Sequence, residues 1–477
     1  MRLNKITIKN FRSIENIVLP IEEINGSYTF SLIGINESGK SSFLRAIALV
    51  DEGEVNYPQD FYDETTPIAI SLEYTLNGRE EKAIINDLLS KGFDKKLISE
   101  IDITKVLVCV GFEAKNNTER NNYEIVKFKK EIFPNYTLNG GVPAKKEGEE
   151  PQEDFNLEDY FRENYPKYFW KIAHTITFWE SSPKYLISDE INLETFAADP
   201  KKTSIPLYNC FKLAGVRDIS ARINKIKTNP ADIHNLQDEL GDKVTAHIKD
   251  VWPGHPIKIK IQINNMMLSF LVEDEGVKYQ TKTTKQRSDG FRQFISFLLT
   301  ISAENNTDQL FNEILLLDEP ETHLHPGAQE NLKEDLIKTT MNNSNNILFY
   351  ATHSNYMIDK NNINRCYRVE KIGNKTTSLE KIKKQKSSYA EVNYEVFNIS
   401  TNDYHNELYG IVEDKHKAKL EALKKDRIWK NISTKKDEKV SLSKYIRHSI
   451  HHPENTTNKE VGPTELKSSI EILRKLV

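Results

Sequence analysis

The feature that most constrains this chain is the sequence GINESGKS at residues 34–41. It matches the phosphate-binding loop G-x-x-x-x-G-K-[ST], or P-loop. The apolar segment 28–33 before it predicts a buried strand, and the segment 42–50 after it has helical spacing. Because strand, glycine-rich loop and helix are the context in which such a loop binds phosphate, a chance match is disfavoured. The chain is therefore expected to bind a nucleoside triphosphate.

The loop residues have separate predicted roles toward the triphosphate. The two glycines let the backbone close around a phosphate, where a side chain would clash. Backbone amides and the N-terminus of the following helix supply positive potential. Lys40 is expected at the β- and γ-phosphates, and the Ser41 hydroxyl at Mg²⁺. The ATP-binding residues predicted in this segment are Gly34, Asn36, Glu37, Ser38, Gly39, Lys40, Ser41 and Ser42.

A second segment completes the expected nucleotide site. Residues 314–317 are consecutive apolar residues and predict a central strand of a parallel sheet, which is covered on both faces. Asp318 ends this strand in the manner of a Walker B motif, where it can hold Mg²⁺. Glu319 follows and can orient or deprotonate the attacking water. The alternative for Glu319 is a solvated acid at a strand end, which the presence of the P-loop disfavours.

A further apolar strand is predicted at 347–352, and His353 follows it. A histidine at this place can contact the γ-phosphate and sense its loss. A single histidine is more often a structural residue, but its position after a strand that follows the Walker B segment favours the functional role. The predicted catalytic residues are therefore Glu319 and His353, and the predicted metal ligands are Ser41 and Asp318.

Length and composition limit what else the chain can be. A length of 477 residues allows roughly two to four domains. The net charge of −4 does not suggest wholesale nucleic-acid binding. The three cysteines, Cys109, Cys210 and Cys366, lie too far apart for a metal-binding motif and fit a reducing compartment. We expect a cytoplasmic protein with no signal peptide and no membrane contact, because no window approaches about 18 consecutive apolar residues.

Several motifs together resemble the SMC-like branch of the ABC ATPases. They are KNFRSI at 9–14, the P-loop, RSDGFRQF at 287–294, LLLDEPETHLHP at 315–326 and ATHSNYMID at 351–359. The resemblance implies ATP and Mg²⁺ as cofactors and a head-to-tail dimer with ATP at the interface. In that arrangement Ser288, Asp289 and Gly290, which form the signature motif of one subunit, close on the γ-phosphate bound by the other subunit.

Two more nucleotide contacts are implied by the same resemblance. The family has a glutamine loop after the P-loop helix, and Gln59 in the sequence NYPQDFYD is the candidate for it. Arg12 of the KNFRSI motif is expected to approach the nucleotide as in relatives.

The motifs divide the chain into four predicted segments of an α/β fold. Residues 1–85 form an ATPase lobe with the P-loop, and residues 255–385 form the lobe with the signature, Walker B and His353. Between them, residues 86–254 are a mixed, mainly helical insert. Residues 386–477 are a helical C-terminal extension. The resemblance identifies the fold as an ABC-type P-loop ATPase head.

Within that branch the chain is most similar to the RecF/OLD-like group, which includes ATPases of the anti-phage systems Septu, PARIS, Gabija and the retron-linked ones. Some of these carry a TOPRIM nuclease domain. Residues 409–417 faintly resemble its glutamate motif, but no apolar strand ending in D-x-D follows, so no TOPRIM domain is expected. The resemblance implies an ATPase that dimerises on ATP and senses for, or regulates, a separate nuclease effector. A RecF-like DNA-repair ATPase is an alternative.

The C-terminal region holds one other pattern. Arg447 and His452 have the R-x₄-H spacing of HEPN-type ribonucleases, so a nuclease activity of the chain itself is an open alternative. The competing interpretation is a helix end, where histidines favour the helix dipole and Pro453 stops the helix. Residues 411–447 contain twelve Lys or Arg against six Asp or Glu, a local excess of six positive charges. This segment is either a solvated helix face or a contact region for nucleic acid or an acidic partner.

Overall fold

The chain forms two compact units. A computed structural model describes all residues except 52, 115–118, 149–150, 189, 252–256, 278–279, 288, 304–311, 342–344, 374 and 433–435. The first unit, called the ATPase unit, comprises Met1–Met357 and Arg365–Lys381. The second, called the C-terminal unit, comprises Ile358–Asn364 and Ile382–Val477. The predicted signature residue Ser288 lies outside the described residues.

The strands are between two and ten residues long. In chain order they are β1 (Arg2–Phe11), β2 (Ile14–Pro20), β3 (Thr29–Ile33), β4 (Ile68–Thr75), β5 (Ile103–Phe112), β6 (Arg120–Phe128), β7 (Ile132–Phe133), β8 (Tyr136–Asn139), β9 (Val142–Lys145), β10 (Phe155–Asn156), β11 (Thr175–Glu180), β12 (Glu190–Asn192), β13 (Ile257–Asn264), β14 (Met267–Asp274), β15 (Thr281–Thr283), β16 (Glu313–Asp318), β17 (Ile347–Thr352), β18 (Cys366–Ile372), β19 (Thr376–Lys381), β20 (Arg427–Asn431) and β21 (Lys436–Val440).

The helices lie between these strands and in the C-terminal unit. In chain order they are α1 (Lys40–Ala48), α2 (Gly78–Ser90), α3 (Lys95–Ile98), α4 (Leu157–Asn164), α5 (Tyr168–Ile172), α6 (Leu193–Ala198), α7 (Pro200–Thr203), α8 (Ile205–Leu213), α9 (Ile219–Thr228), α10 (Pro230–Val251), α11 (Asp289–Ala303), α12 (Pro326–Thr339), α13 (Tyr389–Phe397), α14 (Asn402–Glu421), α15 (Leu442–His451) and α16 (Pro463–Arg474). Over the residues that the structure describes, none of them combines the length and apolar character needed to cross a bilayer.

Five strands of the ATPase unit form an antiparallel sheet in the order β2-β1-β4-β5-β6. Along β4 the residues alternate between buried and half-buried, with Ile68, Ile70 and Leu72 buried. This period of two is expected where one face of a sheet packs on a core and the other is more open. Strands β5 and β6 belong to the segment predicted as an insert, so the start of that segment extends this sheet.

The second large sheet has the order β11-β16-β17-β3-β18-β19. Its strands pair in parallel, except that β19 is antiparallel to β18. Every residue of β3 and β17 is buried, as expected of central strands covered on both faces. Because parallel strands end at the same edge, the residues after β3, β16 and β17 come together there. The predicted α/β fold is confirmed, and this edge carries the candidate site.

Alternate residues of the central strand β16 enter two different apolar clusters. Ile314 and Leu316 belong to a cluster that includes the antiparallel sheet and α1. Leu315 and Leu317 belong to a second cluster, formed with α8 to α11 and β12 to β14. The strand is therefore stabilised by burial of apolar side chains on both faces, which is the main favourable term in folding.

The segment 86–254 is interleaved with the rest of the ATPase unit. Its strand β11 pairs with β16 in the parallel sheet, so that Glu180 lies opposite Asp318. Its helices α8, α9 and α10 supply much of the second apolar cluster. The four segments drawn from the sequence stay a prediction of domain boundaries, and the compact units add that this segment packs as part of the ATPase unit.

The C-terminal unit consists of helices α13 to α16 and the two-stranded hairpin β20–β21. Its larger apolar cluster includes Leu408 and Val412 of α14 packed with Ile470 of α16. The hairpin was not foreseen in the helical extension, and its inner residues Trp429 and Val440 form a separate small cluster. Each of the two strands has five residues, of which one is buried. Because no turn motif lies between the strands, this pattern is too short to predict a hairpin from the sequence.

His405 is fully buried in α14, where its Nε2 lies 3.0 Å from the Ser469 hydroxyl. The Ser469 hydroxyl in turn donates to Ser443 at 2.7 Å. Burial lowers the pKa of His405 from 6.5 to about 4, so the folded unit holds the imidazole neutral. The unfolded chain binds this proton below about pH 6.5, whereas the folded unit resists it until about pH 4. Stability is therefore complete above this window and falls as the pH drops through it.

We predict that α14 loses protection from amide exchange in the full chain between about pH 7 and about pH 5, by about 2 kcal/mol after correction for intrinsic rates. The variant His405→Gln keeps a polar group facing Ser469 but does not titrate, so its protection should change less. Hydrogen exchange with mass spectrometry measures both. Equal pH dependence in the two proteins would show that His405 is not held neutral.

Candidate active site

The P-loop closes so tightly that its two glycines have no room for a side chain. Gly39 has a left-handed φ of 108°, and a Cβ there would lie 2.1 Å from the Thr377 hydroxyl. A Cβ on Gly34 would lie 2.3 Å from the backbone oxygen of Val369. Thr377 Oγ1 also donates to the Ser38 carbonyl at 3.0 Å, so strand β19 braces the loop. This cradle of backbone fits a phosphate that accepts from amide groups.

Lys40 begins α1 and is buried beneath the loop. Its Nζ donates to the carbonyl oxygens of Gly34 at 2.9 Å and Ile35 at 3.0 Å. Burial lowers the pKa of Lys40 to about 8, and the carboxylates of Glu319 and Asp318 oppose that shift. A desolvated ammonium group held in this way is strongly stabilised by an anion that enters the loop.

Asp318 ends β16 at the same edge of the sheet. Burial raises the pKa of its carboxyl group, and a hydrogen bond with the Ser41 hydroxyl acts in the opposite direction. Its Oδ1 is buried and has no hydrogen-bond partner within the part of the chain that the structure describes. A buried carboxylate oxygen beside a serine hydroxyl fits the oxygen ligands that Mg²⁺ prefers. The structure thus brings the two predicted metal ligands together.

A charged pair beside Asp318 was not apparent from the sequence. Glu180 at the end of β11 forms an ion pair with Arg45 of α1. Glu180 raises the pKa of Asp318, whereas Arg45 lowers it. No sequence signal marked Glu180, because its proximity to Asp318 depends on the order of strands in the sheet.

Glu319 and His353 contact each other across the ends of β16 and β17. His353 Nε2 lies 2.8 Å from Glu319 Oε1. The hydrogen bond from His353 lowers the pKa of Glu319 and so favours its ionised form. Glu319 has a φ of 52°, and its amide donates to the carbonyl of Ala351 at 3.0 Å. Such a backbone is held only where surrounding contacts fix it. The two predicted catalytic residues are thus adjacent.

A cavity of about 300 Å³ is lined by P-loop residues 36–42 together with Glu319 and His353. Two further residues, Ser13 and Lys371, line this cavity, and the sequence did not predict them. Ser13 belongs to the KNFRSI motif, which could have indicated it. Lys371 lies on β18, and no motif marks that strand.

The structure does not bring Arg12 and Gln59 to this cavity. Arg12 Nε donates to Asp60 Oδ1 at 2.7 Å, and Arg12 lines a separate cavity of about 370 Å³. Gln59 is exposed in a turn at 57–60. Their roles at the nucleotide, which the resemblance implies, stay predictions.

The signature motif contacts the loop that follows β16. Helix α11 begins at Asp289. A Cβ on Gly290 would lie 2.6 Å from the backbone oxygen of His323, so only glycine allows this close approach. The predicted contact of Gly290 with a partner's phosphate stays a prediction, and the structure adds this contact within one chain.

Arg447 and His452 have different partners in the C-terminal unit. Arg447 Nη1 donates to Asn406 Oδ1 at 3.1 Å, and its guanidinium lies 5.2 Å from the centre of the Tyr409 ring. His452 follows the last residue of α15, and its Nδ1 lies 3.1 Å from Glu454 Oε1. The role of Arg447 and His452 as a nuclease pair stays a prediction.

Known proteins are similar to this chain over most of its length. It is 23% identical over 420 residues to the Old nuclease of Escherichia phage P2, a match that covers 85% of this chain and 66% of that protein. Among solved structures, the SMC head bound to the C-winged helix domain of ScpA shares 12% identity over 80% of this chain and 98% of that chain, with a TM-score of 0.40. The SMC head domain from Thermotoga maritima shares 12% identity over 80% of this chain and 100% of that chain, with a TM-score of 0.36.

A family match covers the whole candidate site. Residues 1–358 match the family described as AAA ATPase domain, which includes the P-loop, Asp318, Glu319 and His353. The matched residues are about three quarters of the 477 in the chain and exclude most of the C-terminal unit. This chain belongs to the AAA ATPase domain family.

Proposed function

We propose that the chain is an ATPase that dimerises on binding ATP and acts in the cytoplasm as sensor or regulator of a separate nuclease in anti-phage defence. Membership of the family gives the ATPase class. The observation that carries the proposal is the convergence of Lys40, Asp318, Glu319 and His353 at one edge of one parallel sheet. A buried cation, a metal-type carboxylate and an ionised base in contact with a histidine are the parts that phosphoryl transfer to water requires.

The chain's own groups have distinct tasks in this reaction. Lys40 and the loop amides hold the phosphates, while Ser41 and Asp318 would hold Mg²⁺. When bound, the metal ion would neutralise charge on the phosphate oxygens. Glu319 orients the attacking water and accepts its proton. His353 holds the Glu319 carboxylate through the 2.8 Å contact and reports the presence of the γ-phosphate.

The dimer is proposed because one chain leaves its phosphate site open. Ile35, Asn36 and Glu37 on the outer side of the loop are exposed, with 61% of Ile35 accessible. The resemblance to SMC-like ATPases implies that Ser288, Asp289 and Gly290 of a second chain cover such a loop. ATP would then hold two subunits together at their interface.

A nuclease partner is proposed from the resemblance to ATPases of anti-phage systems. The phage relative is named a nuclease, but this chain spans 66% of its length, so that activity is not assigned to this chain. The local excess of six positive charges in segment 411–447 would favour contact with an acidic partner or nucleic acid. ATP hydrolysis stimulated by DNA would favour the RecF-like alternative. RNA cleavage by the purified chain that is lost in His452→Ala would favour the HEPN-like alternative.

Replacing Lys40 by alanine should strongly weaken nucleotide binding. The variant loses a buried cation and its charged hydrogen bonds to phosphate, which together correspond to about 3 kcal/mol, or roughly a hundredfold in affinity. Isothermal titration with ATP and Mg²⁺ measures the effect. Lys9→Ala, at an exposed position of β1, is the matched control and should bind like the wild type. An unchanged affinity in Lys40→Ala would refute the assignment of the site.

Replacing Glu319 by glutamine should trap ATP. The amide keeps the size of the side chain and can still contact His353, but it cannot accept a proton from water. Turnover should fall by about a hundredfold while ATP stays bound, so the closed dimer accumulates. Light scattering after gel filtration in ATP and Mg²⁺ measures the mass. Turnover equal to or faster than the wild type would exclude Glu319 as the base.

A further inference from the structure

Glu321 is a buried carboxyl group at the edge of the candidate site, and none of the roles above involves it. It lies in the loop after β16, and 5% of its surface is exposed. Burial raises its pKa to about 7, and the neighbouring Glu319 carboxylate acts in the same direction. Burying a carboxyl group costs free energy unless its oxygens are hydrogen-bonded. The hydrogen bonds of Glu321 therefore indicate its role.

One oxygen of Glu321 fastens the backbone at His353. Oε1 accepts a hydrogen bond from the Thr352 hydroxyl and another from the His353 amide at 3.3 Å. The Thr352 hydroxyl oxygen also accepts from the Ser354 amide at 2.9 Å. Residues 352–354 are therefore tied to Glu321 at the point where the His353 side chain extends to Glu319.

Gln329 of α12 makes a second link between the same two loops. Its Oε1 accepts from the Ser354 hydroxyl at 2.5 Å, and its Nε2 donates to the Leu324 carbonyl at 2.8 Å. The residues immediately before and after His353 are thus both held by the segment that follows β16. The Glu319–His353 contact of 2.8 Å spans two loops that these hydrogen bonds fix relative to each other.

The second oxygen of Glu321 takes no part in this network. Oε2 is buried and has no hydrogen-bond partner among the described residues. Only the acceptor Oε1 is used, so an amide of the same shape can replace the acid. A leucine of similar size leaves the Thr352 hydroxyl and the His353 amide without their acceptor.

We propose that Glu321 is a positioning residue of the ATPase reaction, which holds His353 in contact with Glu319. This inference rests on the proposed function, because Glu321 acts only through that pair. Among the described residues, Glu321 is not one of those that line the nucleotide cavity. Its loss should therefore lower kcat and leave the ATP dissociation constant unchanged.

Turnover and ATP affinity of three variants test the proposal. Glu321→Leu should lower kcat by about tenfold with an unchanged dissociation constant, since misplacing a catalytic pair slows chemistry more than binding. Glu321→Gln keeps the acceptor and should stay within about threefold of the wild type. Glu334→Leu, at an exposed position of α12, is the matched control and should behave like the wild type. Loss of turnover in Glu321→Gln equal to that in Glu321→Leu would overturn the proposal.

A double variant separates positioning from general stability. If Glu321 acts through His353, then Glu321→Leu combined with His353→Ala is no slower than His353→Ala alone. Losses that multiply would overturn the proposal, as would a weaker ATP affinity with unchanged kcat. Thr352→Val removes a donor rather than the acid and should reproduce part of the loss, so the test does not depend on one variant folding.

Wild-type turnover distinguishes this inference from the proposed function. A wild type that binds ATP without hydrolysing it would contradict both. Normal wild-type turnover together with multiplying losses would contradict the positioning role of Glu321 alone.

Discussion

The site depends on the parallel pairing of β3, β17 and β16 in one register. Ser31 of β3 lies opposite Tyr350 of β17, which lies opposite Leu317 of β16. Because the three strands end at one edge, the P-loop, the acids after β16 and His353 begin close to one another. Side chains alternate between faces along a strand, so a slip of one residue would turn Asp318 to the other face and dissolve the metal site.

Several buried ionisable side chains lie close together at this edge of the sheet. The buried Lys40 has a pKa lowered by burial, and the carboxyl groups of Glu319, Asp318 and Glu321 lie close enough to oppose the shift. Asp318 and Glu321 have pKa values raised by burial, so their own charges are also costly. A triphosphate would neutralise the positive charge of Lys40, and a divalent cation would neutralise the negative charge of Asp318. Nucleotide and metal ion are therefore expected to bind together, each lowering the electrostatic cost of the other.

The sequence predicts those parts of the site that follow directly after an apolar strand. The P-loop, Asp318, Glu319 and His353 are of this kind, because strand and functional residue are adjacent in the chain. Glu180 and Thr377 could not be predicted, because their positions depend on which strands are neighbours in the sheet. The R-x₄-H spacing of Arg447 and His452 matches a ribonuclease pattern. Spacing along the chain does not determine which elements each side chain contacts.

The proposed sharing of each nucleotide site by two chains is tested most directly by a mixing experiment. Lys40→Ala lacks a working P-loop but keeps its signature, whereas Ser288→Arg blocks the signature but keeps its P-loop. Each variant alone should be inactive. In a mixed dimer one of the two sites combines an intact P-loop with an intact signature, so random exchange should restore roughly a quarter of wild-type ATPase activity. A mixture as inactive as its components would contradict the shared site.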